Sequence, residues 1–115
     1  MQQNQRFFIT VDDLSTARGE TGVAFDGVSP EYLASTLQDA LRETTLWERW
    51  RAGRDDPDEV DPASGAVDPA ATVTATLSNL RAEVHVTTSL PHAILRHRLD
   101  LLIGKNWKLR DVSSA

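Results

Sequence analysis

Cysteine is absent from this 115-residue chain. Disulfides, a thiolate nucleophile and Cys-ligated zinc or iron–sulfur centres are therefore excluded within it. Long apolar runs are absent too: no uninterrupted stretch approaches the ~20 residues needed to cross a bilayer as a helix. The opening segment Met1–Asp13 has neither a basic start nor an apolar run of signal-peptide length, so cytoplasmic residence is the expectation. Glycine is sparse, and Gly19, Gly22 and Gly27 have neither the spacing of a phosphate loop nor a following lysine. A nucleophile-elbow signature is missing. No catalytic residue and no cofactor is implied, and an enzymatic role has no support in the pattern.

What is present suits one domain over residues 1–115 with one core. Hydrophobic residues make up 40% and charged residues 25%, ordinary globular usage that argues against wholesale disorder. Net charge is −5 and the pI is near 5.0, which disfavours long-range steering of the whole molecule to nucleic acid. The charge is uneven. Residues 1–78 carry 6 Lys/Arg against 14 Asp/Glu; residues 79–115 carry 6 against 3, with all three histidines.

Period-two alternation predicts a strand over Arg6–Asp13, with Phe7, Ile9 and Val11 on one face. Val23–Phe25 is a candidate short second strand. Ser29–Gly53 is the main helical signal. Ser29 suits the N-cap, Pro30 the first helical position and Glu31 the positive end of the dipole. Leu33, Leu37, Ala40, Leu41, Thr44 and Trp47 form one stripe. Leu46 and Trp50 fall off it. Two readings follow: a continuous or slightly kinked helix, which the reach of the stripe to Trp47 favours, or a break near Thr44-Thr45 with Thr45 and Glu48 as a capping box.

Residues 54–70 form an acidic surface connection in which Pro57, Pro62 and Pro69 each follow an aspartate. It is expected to be mobile. Ala71–Ser78 alternates cleanly, with Thr72, Thr74 and Thr76 on the wet face. Ala82–Thr87 alternates likewise, and the two read as an antiparallel hairpin. A second helix is expected from Pro91 to about Ile103, ended by Gly104. Trp107–Val112 reads as a last strand and Ser113–Ala115 as a frayed end. The fold class is α+β: a small, mostly antiparallel sheet of three to five strands with two helices packed on one face, in the order β(β)-α-loop-β-β-α-β.

Candidate sites are few. Glu83 and His85 share a strand face, but His92 and His97 are five apart and no metal-ligand spacing appears, so no metal is expected. Asp12-Asp13 point to opposite strand faces. Asp55, Asp56, Asp58, Glu59 and Asp61 do not fit a calcium loop and read as a solvated linker or a dock for a basic partner. The leading expectation is a non-enzymatic protein-interaction or assembly module, with a protein partner or self-association through Leu46, Trp50 and Arg54. The alternative is a nucleic-acid accessory protein using a basic C-terminal face of Arg96, Arg98, Lys105, Lys108 and Arg110. A third class is a small-molecule binder or enzyme with a groove between helix and sheet, with His85 or Asp12 as its polar group. No membrane partner is expected.

Overall fold

A computed structural model describes residues 4–79 and 81–114. The sheet has four strands: β1 (Gln5–Val11), β2 (Thr72–Ser78), β3 (Arg81–Thr88) and β4 (Lys108–Ser114). They lie in the order β2-β3-β1-β4, and every neighbouring pair is antiparallel. The helices are α1 (Pro30–Arg42), α2 (Thr45–Ala52) and α3 (His92–Ile103). One helical connection follows β1 and another follows β3, the split β-α-β arrangement. The α+β class and the expected element order hold, with one helix more than the sequence pattern indicates.

The core forms where the expected stripes meet. Phe7, Ile9 and Val11 of β1 and Ala82, Val84 and Val86 of β3 are buried beneath Leu33, Leu37 and Leu41 of α1 and Leu95, Leu99 and Leu102 of α3. Full burial of each Phe, Ile, Val or Leu side chain among these contributes roughly 1.5–3 kcal/mol. The opposite sheet face carries no helix. There the threonines of β2 are exposed, and Phe8 and His85 face each other across β1 and β3 with ring centroids 4.8 Å apart. Thr10 also points to this side, yet it is buried because Arg110 lies over it, Nε donating to Thr10 Oγ1 at 2.9 Å.

Several expectations are corrected. The 29–53 helix is not continuous: Glu43 is extended (φ −131°, ψ 158°) and α2 restarts at Thr45. The break falls one residue earlier than the capping-box reading, and Thr44 makes no side-chain cap. It lets α2 turn so that Trp47 is buried and Leu46 packs at the core margin. Val23–Phe25 is not a strand; Val23 and Phe25 are buried in a loop whose Phe25 N–H donates to Leu102 O at 2.8 Å. Ser113 and Ser114 are paired with Arg6 and Gln5 rather than frayed, while Ala115 lies outside the described residues. β4 starts after Trp107, and Arg110 forms an irregularity in its pairing with β1. No helix among the described residues is long and apolar enough to cross a membrane.

Candidate functional site: a cleft between α2 and the acidic connection

The 54–70 connection is mostly exposed but it is tethered along its length. It contains two 3₁₀ turns, Pro57–Glu59 and Pro62–Gly65. Arg51 Nε donates to Pro57 O at 3.0 Å, Trp47 Nε1 to Ser64 Oγ at 2.9 Å, and Asp68 N to Leu41 O at 2.8 Å. Gly65 lies flat on the Trp47 indole; a Cβ there would come within 2.8 Å of the ring.

Two buried polar groups hold the connection from below. Arg98 of α3 is fully buried. Its Nη2 donates to Ser64 O at 2.9 Å and Ala66 O at 3.3 Å, and its Nη1 lies 3.0 Å from His97 Nδ1. Nε has no partner, and among the described residues no carboxylate pairs with the guanidinium. Burial pulls its pKa well below the usual arginine range, to about 10, so the group remains a cation at neutral pH. Asp68 is the second anchor. It accepts from Thr88 Oγ1 at 2.8 Å, Ser89 N at 3.0 Å and Ala70 N at 3.0 Å. Desolvation works to raise its pKa, but the bonds from Ser89, Thr88 and Ala70 outweigh it and the net shift is downward.

Between this connection and α2 lies a cleft of about 600 Å³. Trp50 and His97 line it, with Asp55, Asp56, Glu59 and Asp61 at its walls. Trp50 is half-buried and meets the His97 ring edge-on at 4.4 Å. The Arg54 guanidinium sits 5.4 Å from the indole centroid. That is cation–π distance. Arg54 is also ion-paired with Glu20 at 3.6 Å, with both side chains about half exposed. Such a pair is weak. His97 has its pKa lowered, first by burial and then by the neighbouring Arg98 charge. A hydrogen bond from Arg98 Nη1–H to Nδ1 requires a neutral ring with its proton on Nε2.

The residues proposed from sequence are thus only partly brought together. Trp50 and Arg54 share the cleft; Leu46 does not. Leu46 is half-buried and lines a separate cavity of about 280 Å³ with Tyr32, Asp39 and Arg49. Leu46 and Trp50 are both half-buried and do not form the expected exposed apolar edge; among the described residues the large exposed apolar side chains are Val28, Tyr32, Leu77 and Val112. The basic C-terminal set is divided. Arg98 is buried, Arg96 is on α3, and Lys105 pairs with Asp100 at 3.1 Å. Lys108 and Arg110 are on β4, and Arg110 lies against the helix-free sheet face. Trp107 is half-buried, its Nε1 donating to Asp100 Oδ1 at 3.1 Å. His85 and Asp12 do not share a groove with a helix. His85 faces Phe8, and Asp12 pairs with Arg81 at 3.1 Å. Asp13 is a turn cap for Ser15, whose hydrogen bonds lower its pKa. No metal-ligand cluster occurs among the described residues.

No protein-family model, curated protein or solved structure matches the chain.

Proposed function

We propose that this chain is a non-enzymatic protein-interaction module whose Trp50 cleft takes a basic side chain from a segment of a cytoplasmic protein partner. The observation that carries this reading is the Arg54 guanidinium held 5.4 Å above the Trp50 ring within a cleft lined by four carboxylates. An indole face among carboxylates favours a cation, by roughly 0.5–1 kcal/mol where exposed and ~2 kcal/mol when desolvated. Arg54 then acts as a resident cation that a partner's arginine or lysine displaces. Its weak tie to Glu20 lets it leave.

A fluorescently labelled arginine-rich peptide, titrated at low salt and followed by anisotropy, tests the proposal. The reading requires saturable binding that weakens as salt rises. Trp50→Ala weakens it by roughly twofold to thirtyfold, the equivalent of the cation–π energies above. Arg54→Ala tightens it, because the competing cation is gone. No binding at low salt rejects the reading, and so does an Arg54→Ala variant that binds less well.

One observation favours a second reading, a single-stranded nucleic-acid surface. The uncovered sheet face presents the Phe8–His85 ring pair on its two central strands, flanked by Arg6, Lys108 and Arg110. Aromatic rings on a bare sheet can stack bases while basic groups hold phosphates. Glu83 and Asp111 on the same face oppose it. A salt-sensitive gel shift that Phe8→Ala abolishes would support this reading, and the absence of any shift at low salt removes it.

A further inference from the structure

The two edges of the sheet are unlike. The β4 edge carries Lys108, Arg110 and Asp111 and an irregular register at Arg110, all of which discourage pairing with another strand. The β2 edge carries none of these. No residue from Ala71 to Asn79 is charged, and none is proline. An edge of this kind is a template for a further strand.

The hydrogen bonds show which backbone groups of β2 point outward. Two side chains of α1 reach over the start of the edge: Gln38 Oε1 accepts from Val73 N at 3.0 Å, and Arg42 Nε donates to Ala71 O at 2.7 Å. Ala71 and Val73 therefore turn their polar groups away from β3. In an antiparallel ladder this direction alternates residue by residue, so Ala75 and Leu77 share it. No side chain among the described residues caps either of them. Beside this open stretch, Leu77 is 58% and Val28 66% exposed. Both line one shallow cavity with Leu14, which Asp12 and Asp13 also border.

We infer that the β2 edge binds a second copy of this chain, strand to antiparallel strand, centred on Thr76. The phase selects this register. Ala75 of one copy then exchanges both backbone bonds with Leu77 of the other, and Leu77 with Ala75, giving four bonds about the two-fold axis. Thr76 meets Thr76, and each Leu77 packs against the other copy's Ala75 on the helix-bearing face. In this register Asn79 of the second copy falls opposite Val73, so the Gln38 cap marks the end of the paired stretch and the Arg42 cap on Ala71 O lies beyond it. A second copy fits better than a charged strand because the segment is uncharged in an otherwise acidic molecule, so self-pairing opposes no like charges. The two sheets become one of eight strands. Because few residues take part, the dimer is weak, with a dissociation constant of about 10 μM to 1 mM.

The surface is separate from the Trp50 cleft, and either proposal can fail alone. Sedimentation equilibrium of the full chain from low micromolar to millimolar concentration tests it. The weight-average mass should climb from 12.7 kDa toward twice that value. Ala75→Pro removes an outward N–H without touching the β3 ladder, and Leu77→Lys places a charge on the edge. Each should weaken dimerisation at least about tenfold while leaving the thermal transition of the dilute protein in place. Amide exchange at Ala75 and Leu77 should slow as concentration rises. A monomer at every concentration overturns the inference. So does a dimer unaffected by Leu77→Lys, which would then use another surface, or an edge that pairs only with an added peptide.

Discussion

Replacing Arg98 in two ways separates its packing from its charge. Arg98 is the largest fully buried side chain, and among the described residues its charge is met by two carbonyls and an imidazole nitrogen. With desolvation strong enough to bring its pKa to about 10, the cation is poorly compensated, and its loss need not weaken the fold. Buried ionic groups replaced by apolar groups of similar volume are often neutral. Arg98→Met keeps most of the aliphatic volume and should change global stability by less than about 2 kcal/mol. Arg98→Ala also leaves a cavity beneath Ser64 and Ala66 and should cost about 3–5 kcal/mol. Urea denaturation of the two variants reads this difference. Both substitutions remove the bonds to Ser64 O and Ala66 O. Hydrogen bonds to a charged group are worth about 1.5–3 kcal/mol each, so amide exchange across Ser64–Asp68 should quicken at least tenfold in both. If Arg98→Met is as destabilised as Arg98→Ala, the charge itself supports the fold and the reasoning fails. If exchange in the connection does not change, Arg98 is not its anchor.

Three further outcomes follow from the same geometry. His97 has a folded-state pKa below its unfolded value of 6.5, so the unfolded chain binds the proton more readily. Its contribution is complete above pH 6.5 and is lost as pH falls below that value. The melting temperature should therefore drop between about pH 7.5 and 5.5, less steeply in His97→Gln, and equal slopes for the two proteins would contradict the assignment. Asp68→Asn leaves an amide group facing the donors of Ser89 and Thr88 and should cost about 1–3 kcal/mol by chemical denaturation. Gly19→Ala would drive a Cβ into Leu101 O, a backbone atom, and should destabilise the fold by about 1–3 kcal/mol in a thermal melt.

Local patterns carried most of the fold. Alternation located β2 and β3, and Ser29-Pro30 set the start of α1, where Ser29 Oγ accepts from Tyr32 N at 3.2 Å. These features depend on neighbours two to four residues apart, which a sequence displays directly. The helix break was less legible because its compensation is tertiary: Trp47 docks on Ser64 and Gly65, 17 and more residues away. The burial of Arg98 has a visible signal in the sequence. It falls three residues after Leu95 and one before Leu99, on the apolar stripe of α3, where a solvated charge does not belong. Asp68 had no such signal, since its partners Thr88 and Ser89 are twenty residues on. The cleft was half legible. Trp50 and Arg54 could be named, but Leu46 could not be separated from them until the direction of α2 was known.

The central claim is that Trp50 receives a cation from a partner. Two-dimensional ¹H–¹⁵N spectra of the three indole groups test it most directly. Trp47 and Trp107 have their indole N–H groups engaged by Ser64 and Asp100 and serve as internal references. On titration with an arginine-rich peptide at low salt, the Trp50 indole signal should shift progressively, and the other two should hold their positions. A Trp50 signal that stays fixed, or a shift confined to Trp107, would contradict the account.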